Sequence, residues 1–356
     1  MKYSKKIKST SSNRALFFEH IAQTSGFPLA LEISAAKDEY LIDNEGNKIL
    51  DLICGISVSA LGHNHPEIVR AVQEQAEKYM HTMVYGEFVL APQVKLAEEL
   101  TDLLPEGLDA VYYGSSGSEV IEGALKLAVK ATGRRKIIAA SNAYHGSTTG
   151  AMSLMSDQSR VAPFAPPVHH VRHIEYNRLE DLERIDEQTA AVIMETIQAE
   201  SGVRAADHGY MQQLRKRCDE VGALLIFDEI QAGMCRTGKF FAFEHFDIQP
   251  DLLVLSKAFG GGMPLGALVS SRELLQVFTE NPILGHITTF GGHPVSCAAG
   301  LASLRIMRDQ KLWERARILS AHLDTLASHN LVKEFRKFGF WAAVDLGSMD
   351  MVLKVV

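Results

Sequence analysis

An α/β fold around a mostly parallel sheet is the expectation for this chain of 356 residues. Two patterns carry it. From about residue 108, short apolar runs alternate with helical stretches. The runs are Ala110–Tyr113, Lys136–Ala140, Ala191–Glu195, Ala223–Asp228, Asp251–Ser256 and Ala267–Ser271, each four to six residues long. They are apolar throughout rather than in alternation, which marks strands buried on both faces. Strands alternating with helices in this way build parallel sheets.

The flanking elements follow in order. Residues 38–53 predict a hairpin that turns at Asp43-Asn44-Glu45-Gly46-Asn47. The stretch from His65 to Tyr79 predicts a helix, with Ile68, Val69, Val72 and Ala76 on one face. A second helix is expected over roughly 91–104, ending near Pro105-Glu106-Gly107. Late in the chain, Trp341–Leu346 predicts a strand. Ser348 then caps a helix entry, with Asp350 in its first turn and Val352, Leu353 and Val356 at helical spacing.

Composition sets the limits. The chain is 46% hydrophobic and 22% charged, which excludes disordered and fibrous classes. At about 150 residues per domain it holds two domains, or a large one and a smaller one. A formal charge of −7 implies no basic face, and a nucleic-acid partner is not expected. No apolar run is long enough to span a membrane. Cys54, Cys218, Cys235 and Cys297 lie far apart and read as reduced thiols of a cytoplasmic protein. The basic stretch MKYSKKIKSTSSN lacks a following apolar region and reads as a solvated end.

Three places carry candidate chemistry. The first is Tyr113-Gly114-Ser115-Ser116-Gly117-Ser118-Glu119, which follows a strand and opens a helix with apolar face Ile121, Ala124, Leu125 and Ala128. Small residues at a helix N-terminus let backbone N–H groups and the dipole meet a phosphate. The same residues also fit an ordinary capped start, with Ser116 and Glu119 as a capping box. The second is Asp228, the last residue of a buried strand, where α/β sheets bind ligands; an aspartate there can also simply cap the next turn. Glu229 and Gln231 follow it and bring more polar groups to that edge. The third is Lys257, after the run Leu252–Leu255 and before Gly260-Gly261-Gly262. It is either a Schiff-base nucleophile or a snorkelling surface lysine. Taken together, a phosphate cradle, a carboxylate and a Schiff-base lysine are what pyridoxal 5'-phosphate requires.

These residues resemble a known family. Ser116-Gly117-Ser118-Glu119, Tyr144-His145-Gly146, Phe227-Asp228-Glu229-Ile230-Gln231-Ala232-Gly233, Arg236-Thr237-Gly238, Ser256-Lys257 and Thr289-Phe290-Gly291-Gly292-His293-Pro294 look like class-III pyridoxal-phosphate aminotransferases. The likeness runs from about residue 25 to the end. Cys54-Gly55-Ile56 and Leu61-Gly62-His63-Asn64-His65-Pro66 bring it nearest the acetylornithine and ornithine group.

The resemblance implies fold type I, with a large domain and a smaller α+β domain made from the chain ends. The implied division is 1–60, 61–305 and 306–356. It implies that Gly117 and Ser118 bind the cofactor phosphate, Tyr144 stacks on the ring, Asp228 pairs with the ring nitrogen and Gln231 reaches the ring hydroxyl. Lys257 holds the cofactor aldehyde. Thr289 reaches the partner subunit's cofactor across a homodimer. Glu200 is the switching glutamate that admits two substrates, and Glu195 is the acid that opens the same motif. His145 stands behind the site, His63 and His65 form a structural turn rather than a metal pair, His169-His170 belong to a loop, and Cys297 is core. No metal is expected.

There are departures from the family. Thr196 and Ala199 stand where the family has Pro and Gly, and His293 where it has Asn. No residue matches the late arginine that clamps the substrate carboxylate, so the chain reads as short at its C-terminal end. The expected activity is transamination of an acetylornithine- or ornithine-type donor with 2-oxoglutarate. Alternatives are 4-aminobutyrate or another ω-amine as donor, a glutamate-1-semialdehyde aminomutase-like reaction, or cofactor binding without turnover.

Overall fold

A computed structural model describes residues 12–164 and 170–355. Most of the basic N-terminal stretch, His169 and Val356 lie outside the described residues. Helix α1 (Asn13–His20) leads into a three-stranded antiparallel sheet of β1 (Ile33–Lys37), β2 (Tyr40–Asp43) and β3 (Lys48–Leu50). The β2–β3 hairpin turns where expected: Asp43 Oδ1 accepts from the N–H groups of Glu45 at 2.9 Å and Asn47 at 2.8 Å. The strand β1 escaped the sequence reading because its short run ISAAK lacks large side chains to mark it.

Helices α2 (Pro66–Lys78) and α3 (Ala91–Thr101) each carry a proline in the first turn, where no N–H is needed. Ile68 is buried as expected, but its companion in the α2 stripe is Gln75, whose Nε2 donates to the carbonyl of Tyr79 at 3.0 Å.

The main sheet has seven strands. They are β4 (Ala110–Gly114), β5 (Lys136–Ala140), β6 (His170–Ile174), β7 (Thr189–Glu195), β10 (Leu224–Asp228), β11 (Leu252–Leu255) and β12 (Gly266–Ser270). A small hairpin, β8 (Ile197–Gln198) with β9 (Arg204–Ala205), interrupts the order. The sheet runs β4-β12-β11-β10-β7-β5-β6, and β12 alone is reversed, antiparallel to both β11 and β4. The reversal has a physical cause: a parallel return needs a crossover of a dozen or more residues, and only residues 256–265 separate these two strands. Lys257 sits in that tight return.

His170 is the first residue of edge strand β6, not part of a loop. The sequence HVRHI alternates half-buried and exposed positions, so it lacks the continuous apolarity that marks its neighbours.

The core lies on both faces of this sheet. Ile226, Val254 and Leu268 pack with Ile121, Ala124, Leu125 and Ala128 of α4 (Gly117–Thr132). Phe227, Leu253 and Leu255 point the other way, onto Met211 and Leu214 of α5 (His208–Val221). Cys297 is fully buried in α6 (Pro294–Asp309). After α7 (Leu312–Leu319) comes a two-stranded antiparallel sheet, β13 (Glu334–Lys337) with β14 (Ala342–Asp345). Helix α8 (Met349–Val355) follows, with Ser348 Oγ accepting from Met351 N at 3.3 Å. No helix among the described residues is long and apolar enough to cross a membrane.

Candidate active site

Strand β4 ends at Gly114 and α4 begins at Gly117. Ser116 caps the helix, its Oγ accepting from Glu119 N at 3.2 Å. Glu119 does not close the expected capping box on Ser116; its Oε2 accepts from Ser115 N, one residue earlier, at 2.5 Å. Gly117 and Ser118 therefore fill the first helical positions, where N–H groups have no partner within the helix and the dipole is positive.

Two glycines let other segments close on this turn. A Cβ on Gly117 would stand 2.8 Å from Ile230 Cδ1, and one on Gly146 would stand 2.1 Å from Ser118 Oγ. Gly146 also has φ of +126°, which L side chains rarely adopt. Gly146→Ala is expected to cost about 1–3 kcal/mol of stability and to weaken cofactor binding, read by chemical denaturation and by cofactor titration.

Asp228 is buried at the end of β10. Its Oδ1 accepts from Ile230 N at 3.0 Å and its Oδ2 from His145 Nδ1 at 2.7 Å. His145 is buried too, and its Nε2 has no partner among the described residues. Burial disfavours its cation. The hydrogen bond and charge of Asp228, with the charge of Glu195, outweigh that and hold His145 above its ordinary pKa.

Glu195 lies in register with Asp228, on neighbouring parallel strands. It is buried, and it accepts from Tyr144 N at 3.1 Å and Ala199 N at 2.9 Å. Burial, reinforced by the Asp228 charge, pushes Glu195 up to about 7 against the pull of His145 and these N–H groups.

A pH dependence of stability follows. The folded chain holds the Glu195 proton between 4.5, the ordinary value of a glutamate, and about 7, where the unfolded chain releases it. Stability from this group is therefore full below 4.5 and falls as pH rises to about 7. His145, also raised, adds a loss in the same direction above its ordinary 6.5. Glu195→Gln is expected to flatten the fall in Tm between these limits, measured by thermal melts across the range.

Lys257 Nζ donates to Gln231 Oε1 at 2.6 Å. Burial holds its pKa below the usual lysine value, against the nearby charges of Asp228, Glu200 and Glu195. Its backbone has φ of +51°, a strained setting for a non-glycine residue. Arg236 braces the Gln231 segment, with Nε donating to the Gln231 carbonyl at 2.9 Å, one Nη to the Ser57 carbonyl at 3.2 Å, and the guanidinium 5.7 Å from the Trp341 ring centre.

A cavity of about 200 Å³ joins these groups. Gly117, Ser118, Tyr144, Glu200, Asp228, Gln231 and Lys257 all line it, as do His145 and Glu195. Seven of the eight expected site residues thus meet, although they come from five separate stretches of chain. Thr289 is exposed and does not line this cavity. Glu229 does not join the polar edge; its carboxylate turns away to accept from the N–H groups of Ala242 and Phe243. His63 Nε2 pairs with Asp51 at 2.9 Å, while His65 precedes α2.

The donor set fits a phosphorylated pyridine aldehyde. The helix start at Gly117 and Ser118, the buried carboxylate of Asp228 and the amine of Lys257 all line one cavity. The family model for aminotransferase class-III matches residues 21–354. The chain belongs to the class-III aminotransferases. Members of this family depend on pyridoxal phosphate and act on small amino and oxo acids.

Named relatives agree with the family. The chain is 40% identical to the acetylornithine aminotransferase of Methanopyrus kandleri, over 92% of this chain and 83% of that one. It is 43% identical to the [LysW]-aminoadipate semialdehyde transaminase of Deinococcus radiodurans, over 85% and 71%. Among solved structures, the ornithine aminotransferase of Toxoplasma gondii superposes with a TM-score of 0.86 at 30% identity, covering 93% of this chain and 80% of that one.

The sequence places His145 only behind the site and offers no partner for Glu195. Their link to Asp228 is a contact between residues 83 and 33 positions away from it along the chain. Tyr-His-Gly after a strand was the only signal available.

Proposed function

We propose that this class-III aminotransferase moves the terminal amino group of an acetylornithine- or ornithine-type donor to 2-oxoglutarate, giving the donor aldehyde and glutamate. The observation that carries the reading is the convergence of Lys257, Asp228 and Glu200 on one cavity beside the α4 N-terminus. When bound, pyridoxal phosphate supplies an electrophilic aldehyde and an electron-accepting ring.

The chain's residues divide the remaining work. The N–H groups of Gly117 and Ser118 hold the phosphate. Tyr144, which lines the cavity, would stack on the ring. Asp228, oriented by His145, holds a negative charge at the ring nitrogen, and Gln231 orients Lys257 Nζ and the ring hydroxyl. Lysine Nζ, its pKa lowered by burial, takes the proton from the amine-bearing carbon and returns it on the way to product. Glu200 is exposed at the cavity and offers its carboxylate to the substrate's far end. A second donor class, of the aminoadipate-semialdehyde type, is supported by the 43% identity to the Deinococcus enzyme.

Thr289 completes the site in a homodimer by reaching the partner's cofactor. Its exposure and that of neighbouring Phe290 support this, as do the strongly exposed apolar side chains Phe27 and Val89, 93% and 92% exposed. The division at 60 and 305 is supported by separate small sheets at the two chain ends. Cytoplasmic residence is supported by four free cysteines.

The deciding experiment follows the visible band of the cofactor-loaded enzyme. N-acetylornithine should bleach it and 2-oxoglutarate should restore it. A band that bleaches only with 4-aminobutyrate, or turnover that needs no oxo acid, would replace this reading.

A further inference from the structure

The composition implied no basic face, yet the fold gathers one. Two adjoining cavities of about 430 and 480 Å³ share Arg135 and His170. Lys126 and Lys130 of α4 line the first, and Arg172 of β6 lines the second. Among the described residues, Glu187 is the one carboxylate along either wall.

The site is separate from the catalytic cavity. Lys136 and His170 open β5 and β6, so the groove lies at the N-terminal ends of the parallel strands. Asp228 and Glu195 close β10 and β7, at the opposite ends. No residue lines both the groove and the catalytic cavity.

Its charges are largely uncompensated. Lys136 is paired with Asp186 at 2.8 Å. Among the described residues, Arg135 and Arg172 make no ion pair, and Arg172 donates only to the Val171 carbonyl at 3.1 Å. Cations gathered without partners on a chain of net charge −7 repel one another and focus an attractive field for anions. The first cavity also has an apolar wall. Phe278 and the His286 ring lie 5.0 Å apart there, next to Val129 and Pro282.

We propose that this groove binds an aromatic phosphate ester of the nucleoside polyphosphate class. The ring system packs against Phe278 and His286, and the phosphates reach Arg135, His170 and Arg172. Combining an apolar slot with guanidinium groups selects a ligand that carries both a flat ring and several phosphate oxygens. A simple anion satisfies only the second cavity, and an uncharged aromatic only the first.

The test uses full-length enzyme loaded with pyridoxal phosphate, so that the catalytic phosphate cradle is filled. ATP, inorganic triphosphate and adenosine are titrated by calorimetry without added metal. ATP is expected to bind saturably, at least tenfold more tightly than either fragment, and to weaken as potassium chloride is raised. The double variant Arg135→Glu, Arg172→Glu alters two exposed side chains and is expected to keep the parent Tm and transamination rate while losing ATP affinity at least tenfold. Phe278→Ala is expected to bring ATP down to the affinity of triphosphate. Absence of saturable ATP binding overturns the proposal, as does ATP binding that survives the double charge reversal. Triphosphate binding as tightly as ATP overturns the assignment to an aromatic ester.

Discussion

Lys257→Ala is expected to lower transamination by about 10³-fold or more and to remove the visible band that reports covalent attachment of the cofactor. Lys257 carries the one amine that lines the catalytic cavity. No neighbour replaces it, because Gln231, its hydrogen-bond partner at 2.6 Å, is an amide without basicity. Burial depresses the lysine pKa and so raises the fraction of neutral Nζ available to attack and to take a proton. Alanine inherits the φ of +51°, so backbone strain stays and only the chemistry is lost. The phosphate site proposed at Gly117 and Ser118 does not involve this side chain, so non-covalent cofactor binding should persist. Added methylamine should restore part of the rate. Turnover at the parent rate in this variant would end the case for Lys257.

Asp228→Asn should cut kcat by about 10²–10³-fold, with the cofactor still bound. Asparagine keeps the shape and can still accept from Ile230 N, a contact now 3.0 Å long. What it loses is the buried negative charge, which faces His145 and is proposed to serve the cofactor ring. The 2.7 Å contact to His145 Nδ1 becomes a neutral hydrogen bond, and His145 should titrate at lower pH. Proton titration of the His145 ring by NMR reads this directly and separates loss of charge from simple misfolding. An unchanged His145 titration together with unchanged kcat would mean that the carboxylate is only a turn cap.

Much of this site is legible in the sequence because it is local. Asp228 and Lys257 each stand where an apolar run stops, and Ser116-Gly117-Ser118 stand where a run gives way to a helix. Strand ends and helix starts are set by side chains a few residues away, and α/β sheets bind ligands at those junctions. The cap on Ser116, the hairpin turn at Asp43 and the helix entry at Ser348 were readable for the same reason.

Other features depended on segments that are distant in sequence. The reversed direction of β12 follows from a short return that cannot cross the sheet. Edge strand β6 was hidden because an edge buries less and so needs less apolarity. Glu229 follows Asp228 directly, yet the two carboxylates end in different surroundings, since successive residues leaving a strand face opposite sides.

The chain by itself therefore determined the α/β architecture and the places of Lys257, Asp228 and the Gly117-Ser118 helix start, because strand ends and helix starts are written in hydrophobic period and in capping chemistry. Tertiary structure alone decided the rest: Glu195, His145 and Asp228 as one buried unit, the raised proton affinity of Glu195 and His145, and a cationic groove on an acidic protein. Burial and Coulomb energies depend on distances in space, and residues far apart in sequence acquire those distances only when the sheet and its helices pack.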